Sequence, residues 1–348
     1  MTRALQHLRA SVEIWTNGSS VAPFLYDNSW KGVISCGCNY DGDDNGCFNS
    51  FPNCPALTEA GMDFGNGFYD DHHFHYGYHI YASAVLSKFD PAWGKQFYDR
   101  VMSLVRDVAN PSSADPFFPT FRHKDWFLGS SWASGMGAAN QNPNGRDQES
   151  TSEAINCYEA VALLGQVYAE IFSDNTEQDR ARQEVAQAMQ FTGRVMMTTE
   201  ISSAQYYWHV RTPGPGIPQI YPTVYTQNVV GNVWDMLADF QTWFGAYPYY
   251  VYGIQLIPIT NAAEARDNVP WVEEMVVPYN ASCVTSPEMC LLDGWSIPVI
   301  AAQATLGDWQ GAWQAAEAVP AEAFVSSGGD GHSLSNTLWW IATRKARN

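Results

Sequence analysis

Two short segments gather the residue types that could do chemistry. One is Phe68-Tyr69-Asp70-Asp71-His72-His73-Phe74-His75-Tyr76-Gly77-Tyr78; the other is Asp147-Gln148-Glu149-Ser150-Thr151-Ser152-Glu153. Residues four apart share a helix face, so Asp71 with His75 and Glu149 with Glu153 form two polar pairs. Grouped carboxylates suit glycoside hydrolysis: one carboxyl protonates the leaving oxygen while a second activates water or attacks the anomeric carbon. Asp71 and one of the glutamates would supply these, with His75 placed to hydrogen-bond Asp71. Glu153 also fits a capping box with Ser150 as the N-cap. Glu149 precedes that cap, where the positive end of the helix favours the ionised form a general base needs. The same four residues could instead form a carboxylate–histidine metal set. The Glu-x-x-His and His-Glu-x-x-His spacings are both missing, however, which weakens the metal reading. His72 and His73 read first as buried, hydrogen-bonded histidines.

Each polar pair opens an apolar run: Ile80, Tyr81, Ala84, Val85 and Leu86 follow the first, and Ala154, Ile155, Ala160, Val161, Leu163 and Leu164 follow the second. Both pairs therefore sit near the ends of packed helices, rigid elements suited to holding a site. Helical periodicity recurs over 3–15, 71–88, 92–109, 148–172, 175–199, 228–244, 261–275, 291–305, 307–318 and 333–346, with few alternating runs between, which predicts an all-α fold. Asp90-Pro91 and Asn110-Pro111 supply stop signals. No fixed-period repeat is present. Long loops are expected at 110–147, 200–227 and 245–260, carrying Trp126, Trp132, Trp208, Tyr206, Tyr207 and Tyr221, and function concentrates on such loops. Residues 17–67, dense in Gly, Asn, Pro and Cys, predict a long loop region packed on the body. The run Thr212-Pro213-Gly214-Pro215-Gly216-Ile217-Pro218 reads as an inserted loop, so one domain over 1–348 is expected.

The 348 residues are 46% hydrophobic, ample for a core, and include 14 Trp, 18 Tyr and 17 Phe, more rings than a core alone demands. Flat rings stack on sugars or bases. A formal net charge of −18 with no basic cluster repels phosphate, so nucleic acid and anionic membranes are poor partners and a neutral ligand is expected. The spacing of Cys36, Cys38, Cys47 and Cys54 lacks paired Cys-x2-Cys knuckles, which favours disulfides over zinc, and Cys283 and Cys290 form a second close group. Disulfides and the sequons at Asn17 and Asn280 favour secretion, although Met1–Arg9 has no apolar signal-peptide core and no run could span a membrane.

The stretch Asp63 to Tyr78 resembles the signature of glycoside hydrolase family 81, the endo-β-1,3-glucanases or laminarinases. Further blocks agree in order: Leu104–Pro111, Asp125-Trp126 with Gly129–Ala133, Asn144–Glu153, Trp243-Phe244-Gly245 with Gly253–Pro258, and Ser335–Arg344. The resemblance runs from Ala22 to Arg344. It implies an (α/α)6 barrel with long aromatic-rich loops, hydrolysis of internal β-1,3-glucosidic bonds with inversion, and no cofactor. It makes Asp71 the general acid and Glu149 the general base, assisted by His75 and Glu153. Inversion requires the two carboxyls to stand roughly 6.5–9.5 Å apart, leaving room for water. Substrate-binding candidates are Tyr26, Trp30, Asn66, Tyr69, His72, Asp125, Trp126, Trp132, Arg146 and Trp208. Ser130 stands where many members have His. Many members also carry a β-sandwich domain ahead of the barrel, which nothing before Asn17 could form, so a catalytic domain lacking it is expected. A secreted monomer acting on β-1,3-glucan is the expectation; a glucan-binding module without catalysis is the alternative, and a metal-dependent enzyme a weaker one.

Overall fold

The computed structural model describes residues 2–40, 46–136, 143–173, 176–245, 247–324 and 331–345. The chain forms two compact units: Met1–Asp147 with Ala154–Glu200, and Gln148–Glu153 with Ile201–Asn348.

The first unit begins with α1 (Thr2–Thr16), followed by the antiparallel hairpin β1 (Phe24–Asp27) and β2 (Gly32–Ser35), with Phe24 opposite Ser35. Two 3-10 segments, Pro55–Leu57 and Met62–Phe68, lead into α2 (His72–Phe89), α3 (Pro91–Gln96) and α4 (Tyr98–Ala109). The short strand β3 (Asp147–Gln148) precedes α5 (Thr151–Ile171), which enters this unit at Ala154; α6 (Glu177–Tyr207) leaves it after Glu200. Ile80, Val101, Val108, Tyr158, Val161 and Leu164 are wholly buried at its centre. Gly77 lets α2 lie against α5, since a Cβ there would stand 2.8 Å from the Cys157 backbone. The expected helix over 92–109 is two helices, because Asp90 caps α3 through the Trp93 amide at 3.1 Å and Phe97 breaks the run. The cysteine-rich loop is stapled by Cys36–Cys54 and Cys38–Cys47, as disulfides rather than a zinc knuckle.

In the second unit, β4 (Asn232–Trp234) and β5 (Ala238–Asp239) pair antiparallel, and β3 is the third strand, beside β4. The helices are α7 (Pro248–Gly253), α8 (Ala263–Arg266), α9 (Val269–Thr285), α10 (Pro287–Leu292), α11 (Ser296–Thr305), α12 (Trp309–Ala318) and α13 (Leu334–Lys345). Tyr249, Trp271, Met275 and Tyr279 are fully buried in its largest core, and Cys283–Cys290 ties α9 to α10. The helix expected over 228–244 is absent: Val229, Val230, Val233 and Trp234 are β-formers, and β4 and β5 occupy that stretch. The loop expected from 200 starts only after Tyr207, because buried Ile201 and Ala204 carry α6 onward. Pro248 opens α7 inside the loop expected over 245–260. The helix expected over 261–275 is α8 and then α9, restarted by Asn268, whose side chain accepts from the Trp271 amide at 3.1 Å. Gly294, at φ 84°, separates α10 from α11 where one helix was expected over 291–305. Residue 346 of the last expected helix lies outside the described residues. Helices dominate both units and strands are short, so the fold is all-α, and among the described residues no helix is long and apolar enough to cross a membrane.

Candidate active site

The acid-bearing turn in the first unit is built on an unusual backbone. Asp63 (φ 51°), Phe64 (56°), Tyr69 (71°) and Asp71 (59°) all adopt left-handed conformations. Each costs about 1 kcal/mol or more for a residue with a side chain, so surrounding contacts must hold them. Those contacts are buried and polar. Asn66 Oδ1 accepts from the Ser35 amide at 2.6 Å, and the Tyr76 hydroxyl donates to the Val33 carbonyl at 2.6 Å. His72 bridges Asp107 Oδ2 through Nδ1 at 2.5 Å and the Asn66 carbonyl through Nε2 at 2.9 Å. Asp107 Oδ1 also accepts from the Val33 amide at 3.1 Å, and the Tyr69 hydroxyl donates to Asp27 at 2.9 Å. The Arg122 guanidinium lies 4.3 Å from the Tyr69 ring centre and 3.3 Å from Asp107. Gly32 admits this cluster, since a Cβ there would come within 2.4–2.5 Å of Tyr69, Arg122 and Asp107.

Asp71 occupies the N-cap position of α2. Its amide donates to the Ala133 carbonyl at 3.0 Å and its carbonyl accepts from Phe74 and His75 at 2.9 and 3.1 Å, while its side chain makes no capping bond. The backbone is thus fixed without spending the carboxyl on the helix. One turn on, His75 meets the edge of the exposed Phe64 ring at 5.0 Å. Burial pushes the His75 pKa down to about 4, with Asp63 opposing and His72 adding to the fall, so the ring is neutral at ordinary pH.

The segment 133–136 braces the same turn. Asp70 accepts from the Gly135 amide, Phe68 from Met136 at 2.7 Å, and Asp147 from the Ala133 amide at 2.8 Å. Ser134 and Asp147 exchange bonds: the hydroxyl donates to Asp147 Oδ1 at 2.5 Å and accepts from its amide at 2.8 Å. Burial pushes the Asp70 pKa up to about 7, against the Gly135 bond and with help from the Asp147 charge. Behind this segment Lys124 and Glu200, both wholly buried, pair at 2.8 Å, and Glu200 takes the Ser131 amide and hydroxyl at 3.1 and 2.9 Å. Such a pair fixes geometry more than it adds stability. Burial alone would raise the Asp125 pKa, but donors from Leu128, Trp132 and Phe127 and the Arg146 charge hold it below the usual carboxylate range. Arg146 itself stands 4.5 Å from the Trp132 ring centre.

The stretch that carries Glu149 belongs to the second unit. Glu149 is buried; its Oε1 accepts from the Trp243 amide at 3.2 Å and its carbonyl from Gln255 Nε2 at 2.7 Å. Thr151 donates to Gln255 Oε1 at 2.7 Å and Ser152 to the Ile254 carbonyl at 2.5 Å. The Glu153 amide reaches Ser150 Oγ at 3.4 Å, one half of the expected capping box.

The sugar-contact candidates separate by exposure. Tyr26 (40%), Trp30 (59%) and Trp126 (47%) present rings to solvent, and Arg146 is exposed. Asn66, Tyr69, His72, Trp132 and Trp208 are buried. Three residues escaped the reading of the sequence as site residues: Phe64, Asp70 and Trp243. All three lie in blocks that carry the family resemblance, but the left-handed turn that sets Phe64 and Asp70 beside Asp71 and His75 is not written in their types. Among the described residues one group, His72, Asp107 and His123, brings possible metal-ligand atoms within 4.8 Å of one another. It does not fit a cation: His72 already has both nitrogens bonded and Arg122 places its own positive charge on Asp107.

Comparison with known proteins identifies the family and the fold. The family model described as the glycosyl hydrolase family 81 C-terminal domain matches residues 1–341. A glucan endo-1,3-beta-D-glucosidase of Glycine max is 31% identical, the alignment covering 97% of this chain and 44% of the relative. A primary septum glucan endo-1,3-beta-D-glucosidase of Schizosaccharomyces pombe is 34% identical over 74% of this chain and 22% of its own length. The chain therefore spans less than half the length of these curated relatives. A solved structure of a glycoside hydrolase family 81 protein from Clostridium thermocellum shares the fold with a TM-score of 0.73 at 24% identity, over 98% of this chain and 40% of that one.

Proposed function

Because this chain belongs to glycosyl hydrolase family 81, we propose that it is the catalytic domain of an endo-β-1,3-glucanase, an (α/α)6 barrel that hydrolyses internal bonds of β-1,3-glucan with inversion. Family membership over nearly the whole chain carries this reading. Asp71 protonates the glycosidic oxygen, and Glu149 deprotonates the water that attacks the anomeric carbon from the opposite face. His75, neutral, orients the acid, and Glu153 assists the base. Trp30, Tyr26 and Trp126 stack on glucose rings, and Arg146 and Asp125 offer polar contacts at their edge. Asn66, Tyr69, His72, Trp132 and Trp208 hold the turns that carry these groups. The disulfides and the abundance of exposed rings support action outside the cell on a neutral polymer.

The test is incubation with laminarin and curdlan in the presence of EDTA, following reducing sugar, product length and the anomer first released. Short oligosaccharides formed early as the α-anomer are the expected result. Glucose released one unit at a time, or retention of the β-anomer, would overturn the endo or the inverting assignment. Binding to curdlan without products would instead favour a glucan-binding module.

A further inference from the structure

The second unit contains a cavity of about 510 Å³ between the end of α6 and the segment that follows it, within the size range of small-molecule sites. None of the residues discussed above as acid or base lines it. Its aromatic lining is set in fixed positions. The Tyr221 hydroxyl donates to the Tyr207 carbonyl at 2.7 Å and the Tyr225 hydroxyl to Val229 at 2.7 Å, so both rings are anchored at their polar ends, with centres 5.3 Å apart. Tyr206 is half exposed at the rim. The charges at the wall cancel. Glu274 pairs with Arg211 at 3.5 Å and accepts from the Thr212 amide and hydroxyl at 2.7 and 2.8 Å. An ionic ligand would find no unbalanced partner among these groups.

His209 is the feature that asks for a ligand. It lines the cavity, is only 2% exposed, and neither of its ring nitrogens has a hydrogen-bond partner. Its plane is fixed by a parallel stack on Trp271, 3.6 Å between centres and 3° between planes. Burial, with the Arg266 charge adding, pushes its pKa well below the ordinary value and keeps it neutral. A neutral imidazole offers one donor and one acceptor, and two unsatisfied nitrogens in a buried site are costly unless something fills them.

We propose that this cavity binds a neutral pyranose unit of the glucan, with vicinal hydroxyls bonded to His209 and the sugar faces set against Tyr206, Tyr221 and Tyr225. The assignment rests on the β-glucan reading and adds to it a holding site that leaves the bond-breaking residues unchanged. Such a site tethers the polymer while other parts of the chain are cut.

The experiment uses the Glu149→Gln chain to prevent turnover, with laminarihexaose as the soluble probe and curdlan as the insoluble one. His209→Phe keeps a ring on Trp271 and removes both nitrogens; Tyr206→Ala, at the rim, guards against a folding defect in the first. Each variant should keep the parent's circular dichroism and bind curdlan about tenfold more weakly. The His209 ring nitrogens of the parent should shift in the NMR spectrum on adding hexaose. Folded variants that bind curdlan and hexaose as the parent does, with unmoved His209 signals, would overturn the proposal while leaving the hydrolase reading standing. A wild-type chain that neither binds nor cleaves either glucan would bring down the functional reading itself, and the pocket assignment with it.

Discussion

The turn that carries Asp71 and the stretch that carries Glu149 hold a carboxylate in two different ways. The first is a contorted backbone, left-handed at Asp63, Phe64, Tyr69 and Asp71, locked by buried polar side chains distant in sequence. The second is a short strand running into a helix N-terminus, pinned by serine and threonine hydroxyls and by one amide side chain, Gln255. Strain makes the Asp71 turn dependent on its surroundings, whereas the Glu149 stretch joins a local helix cap to long-range bonds from Trp243, Ile254 and Gln255. The two carboxylates are thereby held largely by different contacts, Asp71 by the Ala133 carbonyl and the Asp107 cluster, Glu149 by Trp243 and Gln255.

The sharpest test of that contrast is to remove the two carboxyls. Asp71→Asn and Glu149→Gln should each lower kcat on laminarin by about 10²–10⁴-fold with thermal melting little changed; activity retained by either variant would remove it from the mechanism. Next in size is Asp107→Ala, which leaves His72, Arg122 and the Val33 amide without their common partner. A loss of about 3–5 kcal/mol in chemical denaturation is expected, with activity falling even in the folded fraction. The matching lesion on the other side, Gln255→Ala, strands the Glu149 carbonyl and the Thr151 hydroxyl and should cost about 1–3 kcal/mol. Ser150→Ala removes the cap and the hydroxyl's longer contacts with Ser152 and Ile254, at about 1 kcal/mol. If Asp107→Ala were no more damaging than Ser150→Ala, the strained-turn account would fall.

The smallest effect probes the Asp71 turn by itself, through pH. Asp70 has a folded pKa raised to about 7, so its contribution is present at low pH and is lost as pH rises toward 7. His75 has a folded pKa lowered to about 4, so its contribution is present above about pH 6.5 and is lost as pH falls toward 4. Asp70→Asn should therefore flatten the decline in stability between about pH 4 and 7, by the order of 1 kcal/mol after allowance for partial solvent access, and leave the acid limb set by His75. Melting temperatures measured across pH 4–8 for both chains check this, and an unchanged slope would place Asp70 in a more solvated setting.

How much was legible follows the same divide. The Ser150 cap on the Glu153 amide, the apolar faces of α2 and α5, and the preference of the cysteines for disulfides over zinc were all local patterns, readable because a helix or a cysteine spacing is written in neighbouring residues. The misreading of 228–244 as helix has a physical cause: its apolar residues fit a helical period, but β-branched Val233 and aromatic Trp234 favour the strand Asn232–Trp234, which pairs with Ala238 and Asp239. Likewise α6 outran its expected end because burial of Ile201 and Ala204, a tertiary matter, extended it.

The sequence by itself determined the helical class, the two carboxylate segments and the family, since periodicity and motif are properties of order along the chain. Only the tertiary structure decided that Asp71 sits on a left-handed residue clamped by Ala133, that Asp107 underpins the turn from 36 positions away, and that His209 faces a cavity with both nitrogens unpaired. Those facts depend on which distant groups desolvate and hydrogen-bond one another, and no local stretch of sequence encodes that.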